Sequence, residues 1–211
     1  MLDEELIKIE KIENYPKNLF INSYKIKDEL VNAILSWKTD NEHLGEKITL
    51  KYNPKSDKIS KICTQWCIKN DNLYKPWYLY LNTIKNCFTD YFNTFNNCQL
   101  MSKKMYIEHY NLQHYRPGEG FYAWHKENNA DTVSSKRHLV FMTYLTDTPN
   151  GGTEFMTQDL TVPCKKGITL IWPAGWTHTH RGQISKTHEK TILTGWLSFE
   201  NYLTEEGPSE D

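Results

Sequence analysis

Between residues 103 and 199 the chain is cut into short β-rich runs by turn residues, and this texture narrows the possible folds more than any other feature. The runs are "KKMYIEHYNLQHY", "KRHLVFMTYL", "LTVPC", "GITLIWP", "THTHRG" and "EKTILTGWLSF", separated by clusters of Gly, Pro, Asn and Asp. Their β-branched and aromatic side chains suit a pleated, half-buried surface, and the breakers between them are turn formers. Many short strands with turns between them imply an antiparallel sandwich or barrel.

The part before residue 100 reads differently. In "KDELVNAILSWK" (27–38), Leu30, Val31, Ile34 and Trp37 fall on one helical stripe, with Asp28 and Glu29 at the N-terminal end that favours acids. In "PWYLYLNTIKNCFTDYFNTF" (76–95), proline opens a segment whose Trp77, Tyr80, Leu81, Ile84, Phe88, Tyr91 and Phe95 repeat at the helical period. A stripe of that kind is first of all a face that packs on a sheet. The expected class is therefore α+β: N-terminal packing helices over residues 1–100, and a β-domain over 103–199 that carries the chemistry, within one domain of residues 1–211.

Charge and cysteine content exclude several functions. Lys plus Arg number 25 against 26 Asp plus Glu, so there is no net basic field to gather nucleic acid or an anionic membrane. No stretch approaches the length of about 18 apolar residues that a membrane span needs. The opening "MLDEELIKIEKIENYPK" lacks the apolar core of a signal peptide. Five cysteines at irregular spacings are no disulfide framework, and Cys63 and Cys67 have no second pair to complete a zinc set, so buried free thiols are expected. A cytoplasmic location follows as an expectation. Oligomeric state is not legible.

The chemistry concentrates in "YRPGEGFYAWHKENNAD" and "WPAGWTHTHRG". On a strand, His125 and Glu127 point to one face, and imidazole with carboxylate suits a borderline divalent metal. An H-x-E pair alone usually means solvated surface, so a third ligand must come from elsewhere. His178 and His180, also two apart, are the candidates. Two histidines and one carboxylate on one face of a metal leave open positions for a co-substrate and dioxygen. Tyr122, Trp124, Trp172 and Trp176 flank these residues and could wall a cavity, although such aromatics also fill ordinary cores. His43, His109, His114, His138 and His188 read as surface or hydrogen-bonded core residues.

"HYRPGEGFYAWHKE", "KRHLVFMTYLTD", "GGTEF" and "HRGQISKTHEKTILTGW" resemble the 2-oxoglutarate- and Fe(II)-dependent dioxygenases of the prolyl 4-hydroxylase-like branch, over about residues 103–199. That branch carries H-x-D or H-x-E, a distal histidine, a basic residue ten positions later and a tryptophan six after that. Lys190 stands ten residues after His180, and Trp196 six after Lys190. The resemblance implies a double-stranded β-helix (jelly-roll) core, with Fe(II), 2-oxoglutarate and dioxygen as its cofactors. It assigns His125, Glu127 and His180 to iron, Lys190 to the far carboxylate of 2-oxoglutarate, and Tyr115 to a hydrogen bond with it.

The implied reaction hydroxylates a C–H bond of a peptide, with prolyl residues among the targets, or of a small molecule, while 2-oxoglutarate is decarboxylated to succinate. Alternation along "KTILTGW" puts Lys190, Ile192, Thr194 and Trp196 on one face, as such a site requires. A lysine guarding a sheet edge is the plainer reading of Lys190. Two departures stand out: Glu127 replaces the commoner aspartate, and Tyr115 lies ten residues before His125, one more than in the collagen-type enzymes. A cupin-type enzyme would want a glutamate shortly after the histidine pair, where Ile184 and Ser185 stand. A nucleic-acid dealkylating oxygenase would usually carry arginine in place of Lys190. A non-catalytic binding or structural protein on an oxygenase-like or cupin-like sandwich would be expected to have lost a ligand, and none is missing.

Overall fold

The computed structural model describes residues 2–12, 14–53, 55–99 and 104–200. Its helices are α1 (Leu2–Leu6), α2 (Asp28–Asp40) and α3 (Lys75–Thr94). The first strands are β1 (Glu10–Ile12), β2 (Asn22–Lys25), β3 (Glu46–Lys51) and β4 (Ile59–Ile68), followed by β5 (Met105–Ile107), β6 (Tyr110–Tyr115) and β7 (Gly120–Phe121). Then come β8 (Arg137–Tyr144), β9 (Thr148–Phe155), β10 (Leu160–Cys164), β11 (Ile168–Pro173), β12 (His180–Gly182) and β13 (Lys190–Phe199).

The two long helices form where the apolar stripes predict them. In α3, Trp77, Tyr80, Ile84, Phe88 and Tyr91 are buried, and in α2 Leu30, Val31 and Ile34 are. Trp37 meets Trp77 edge to face, their centroids 4.9 Å apart, which locks the helices together. Both stripes pack on one side of a ten-stranded sheet ordered β1-β2-β11-β8-β13-β6-β4-β3, with β5 beside β13 and β7 beside β4. Tyr110, Leu112, Leu139, Phe141, Leu193 and Leu197 supply the sheet's half of that layer. At β13, Gly195 leaves the space that Phe141 and Tyr110 fill; a Cβ there would lie 2.4 Å from the Phe141 ring.

The other side of the large sheet faces a three-stranded sheet, β10-β9-β12. A second apolar cluster lies there, built from Val140, Met142, Phe155, Val162, Leu170, Trp172 and Ile192 among others. All recorded strand pairs are antiparallel. Strand alternation therefore sorts each central strand into a helix-facing and a cavity-facing set. In β13 the cavity-facing set is Lys190, Ile192, Thr194 and Trp196, as alternation predicts. Their partners in β6 are Tyr115, Gln113 and Asn111, opposite Lys190, Ile192 and Thr194.

The division at residue 103 does not separate helix from strand, and the boundary itself, residues 100–103, lies outside the described residues. The first hundred residues are more than a helical support region: β4 pairs with β6 in the middle of the large sheet, β3 flanks β4, and β2 joins β11. "EKITLK" and "ISKICTQWCI" are β-rich, but their charged residues and the surrounding polar stretch obscure the pattern. The thiols also differ in part from expectation. Cys63, Cys87 and Cys164 are buried and free, whereas Cys67 is exposed and Cys98 half-buried.

Candidate metal centre and co-substrate cavity

The turn "YRPGEGF" carries the chain from β6 to the site. Gly118 adopts φ +85°, a left-handed conformation open to glycine, and its N–H donates to the Ser185 carbonyl at 2.8 Å. Beyond β7, His125 and Glu127 lie in irregular backbone instead of the expected strand. What fixes them is hydrogen bonding to other elements. His125 and His180 exchange main-chain N–H···O bonds, each 2.9 Å, and the Glu127 N–H donates to the Ala174 carbonyl at 3.1 Å.

His178 and His180 do not share a strand face either. His178 sits in a 3-10 turn and its Nε2–H donates to the Leu19 carbonyl at 2.8 Å, away from the site. His180 opens β12 and joins His125 and Glu127, so that one ligand atom from each of the three lies within 4.8 Å of the others. Each site histidine donates from Nδ1 to a carbonyl, His125 to Ala123 (3.0 Å) and His180 to His178 (2.9 Å). Those bonds select the tautomer that leaves both Nε2 lone pairs facing Glu127. Glu127 Oε1 is 3.4 Å from His125 Nε2 and 3.5 Å from His180 Nε2. Two imidazole lone pairs and a carboxylate oxygen converging on one point match the donor set of a borderline divalent metal.

The carboxylate is held from behind as well. Arg137 places Nη1 3.6 Å from Glu127 Oε2 and Nη2 3.2 Å from Glu108 Oε2, with its guanidinium 3.4 Å from the Trp196 ring centre. Ser198 donates to Glu108 in turn. Burial works to raise the Glu127 carboxyl, but the facing imidazoles of His125 and His180 outweigh it whenever they carry a proton on Nε2, and then hold it well below the usual carboxylate range. Burial pushes His180 below the usual histidine value, with the neighbouring His125 acting in the same direction.

Beside these residues is a cavity whose lining includes Tyr115, Tyr144, Trp172, Lys190 and Trp196. Lys190 is 5% exposed and, among the described residues, makes one hydrogen bond, donating to the Gln183 carbonyl at 3.2 Å. Burial lowers its ammonium to about 8. Gly182 gives it room, since a Cβ there would come within 3.2 Å of Nζ. Lys190 is thus not an edge lysine; β13 lies between β8 and β6. Tyr115 lies next to it, with Nζ 5.0 Å from the ring centre, and its hydroxyl donates to Gln113 Oε1 at 2.6 Å.

Of the four flanking aromatics, Trp172 is fully buried and lines the cavity, its ring centre 5.1 Å from that of His180. Trp124 stacks on Arg181 at the surface, and Trp176 is 73% exposed. Tyr122 donates its hydroxyl to the Gly118 carbonyl and braces the turn.

Sequence reasoning missed Arg137, Tyr144, Gln113 and Lys61, all on cavity-facing strand positions or beside the ligands. Alternation carried from Tyr115 back to Gln113 would have found one of them.

Residues 110–198 match the profile of the 2OG-Fe(II) oxygenase superfamily, whose members use Fe(II), 2-oxoglutarate and dioxygen. No curated protein matches the chain in sequence. Among solved structures, the viral collagen prolyl hydroxylase of Paramecium Bursaria Chlorella virus-1, in its 2OG complex, superposes with TM-score 0.64 at 17% identity, covering 86% of this chain and 97% of that one. A Pseudomonas putida prolyl-4-hydroxylase gives 0.64 at 12% identity, covering 95% and 100%. A Trichoplax adhaerens prolyl hydroxylase, in complex with a hypoxia inducible factor oxygen degradation domain peptide fragment, gives 0.62 at 12%, covering 94% and 89%. The two facing sheets are the jelly-roll double-stranded β-helix core expected from the sequence.

Proposed function

We propose that this chain, an oxidoreductase carrying a 2OG-Fe(II) oxygenase domain over residues 110–198, uses His125, Glu127 and His180 to hold Fe(II) and hydroxylates a C–H bond of a peptide or a small molecule. The observation that carries the reading is the convergence of those three donors beside a cavity that contains a buried ammonium. When bound, Fe(II) supplies dioxygen activation coupled to decarboxylation of 2-oxoglutarate to succinate.

The chain's own residues do the rest. The Nδ1–H donors of His125 and His180 aim both rings, and Arg137 engages Glu127 Oε2 so that Oε1 stays turned toward the histidines. Lys190 binds the far carboxylate of 2-oxoglutarate, because an ammonium in an apolar surround needs an anion. Tyr115 turns its hydroxyl from Gln113 to the same carboxylate or supports it through that amide. Phe155 and Trp172 pack around His180 and keep bulk water from this end of the cavity.

A peptide substrate is supported by the peptide held in the Trichoplax neighbour, and a prolyl target by the collagen and prolyl-4-hydroxylase neighbours. The charge balance supports a substrate other than nucleic acid and a cytoplasmic protein that acts away from membranes. The contact of β4 with β6 supports a single oxygenase domain over the whole chain.

Anaerobic protein loaded with Fe(II) should develop a weak visible charge-transfer band when 2-oxoglutarate is added. A spectrum indifferent to the co-substrate, together with no slow succinate release in air, would end this reading.

A further inference from the structure

Lys61 is a second buried ammonium in the same cavity, and the iron and 2-oxoglutarate roles leave it unused. It projects from β4 into that cavity and is 7% exposed. Its Nζ is 5.4 Å above the Phe121 ring, and that ring stacks on the His125 imidazole at 3.6 Å. Lys61 and the metal-site residue His125 thus both lie against the ring of Phe121.

Its hydrogen bonding is poor. An ammonium has three donors. Among the described residues Lys61 makes one hydrogen bond, at 3.4 Å, to the neutral Oε1 of Gln65. That oxygen already accepts from Gln113 Nε2 at 3.0 Å. No carboxylate forms an ion pair with Lys61 among the described residues; Glu127, a carboxylate whose charge reaches it, is committed to the histidines.

Charge counting points the same way. With the proposed ligands in place, Fe(II), Lys190 and Lys61 bring four positive charges to the cavity. Glu127 and doubly charged 2-oxoglutarate remove three, and Arg137 is already balanced by Glu108. One positive charge is left, at Lys61, in a site that disfavours unpaired charge.

We infer that Lys61 receives a carboxylate of the substrate: the molecule hydroxylated carries an anionic group close to the oxidised carbon, which Lys61 fixes while the Gln65–Gln113 amide pair orients it. This rests on the oxygenase reading and adds a substrate class to it. The anion has two possible sources, the α-carboxylate of a free amino acid or the side chain of an acidic residue next to the target in a peptide.

The test uses the full chain loaded with Zn(II), a redox-inert substitute, and saturated with 2-oxoglutarate, so that Lys190 is already engaged. Lysine labelled with 13C at Cε reports each ammonium, and Lys61 and Lys190 are assigned by the signals lost in Lys61→Met and Lys190→Met. Acetate is expected to move the Lys61 signal saturably, and acetamide to leave it in place. L-proline against L-prolinamide, and N-acetylated, C-amidated Asp-Pro against Asn-Pro, then separate the two sources, the charged member of one pair binding about tenfold or more tighter than its neutral twin.

Lys61→Arg should keep that preference and Lys61→Met should abolish it, with 2-oxoglutarate affinity unchanged in both. Equal responses to acetate and acetamide, or none, overturn the inference. So does a Lys61 signal that moves on addition of 2-oxoglutarate while Lys190 stays still. A protein in which neither signal responds to 2-oxoglutarate would instead contradict the oxygenase reading, which is a distinguishable failure.

Discussion

His178 and His180 are two residues apart and have different partners. Family spacing pointed to His180, and the fold brings it to His125 and Glu127, while His178 donates to Leu19. His180→Ala should abolish iron-dependent succinate formation. His178→Ala should retain a measurable fraction of it and lower stability by about 1 kcal/mol, the usual net value of one hydrogen bond, measured by urea denaturation. Full loss in the second variant with activity in the first would mean that the distal motif is misaligned.

Lys190 allows a pH prediction. Its value of about 8 lies below that of an unfolded lysine, so between there and about 10.4 the unfolded chain binds the extra proton. The burden of burying the charge is thus full below pH 8, and stability gains as pH rises through that window. Binding of 2-oxoglutarate runs the opposite way, steady near pH 7 and weakening by up to about tenfold per pH unit above 8 as the ammonium is lost. Lys190→Met should weaken it by about 3–5 kcal/mol and remove that pH dependence while leaving metal affinity largely intact, as read by anaerobic titration of the charge-transfer band. An affinity that is flat from pH 7 to 9.5 would show that another group holds the far carboxylate. Residue types and spacing made these positions legible. Lys61 and Arg137 were not, because a single lysine or arginine in a strand gives no sign of what it faces.

At the scale of elements, alternation succeeded wherever the backbone is regular. The inward set of β13 and the stripes of α2 and α3 follow directly from periods of two and 3.6 residues. It failed at residues 125–127 and 177–179, where turn geometry fixed by distant carbonyls, and not a strand, aims the side chains. Gly195 marks another limit, because the need for a bare Cα appears only once Phe141 and Tyr110 are in place beside it. Gly195→Ala should lower stability by about 1–3 kcal/mol through overpacking, measured by chemical denaturation, with the metal donors undisturbed. A neutral result would show that the Phe141 ring can move aside at little expense.

For the whole molecule, the sequence made the class readable and concealed how its halves interlock. The helical stripes and the turn-punctuated runs are local signals, whereas the pairing of β4 with β6 joins residues 42 to 50 positions apart, and no local pattern records it. A fragment of residues 104–200 would expose the β6 edge and the face that α2 and α3 cover. It should fail to give the near-ultraviolet circular dichroism of packed aromatics. A fragment with native-like signal would show that the first hundred residues are dispensable.

The mutual main-chain bonds between His125 and His180 have a consequence for the history such a chain can undergo. The two positions are neighbours because their peptide groups are paired, and the side chains take no part in that pairing. A descendant could therefore exchange either imidazole and still inherit the same scaffold, so catalysis and architecture are free to part company in evolution.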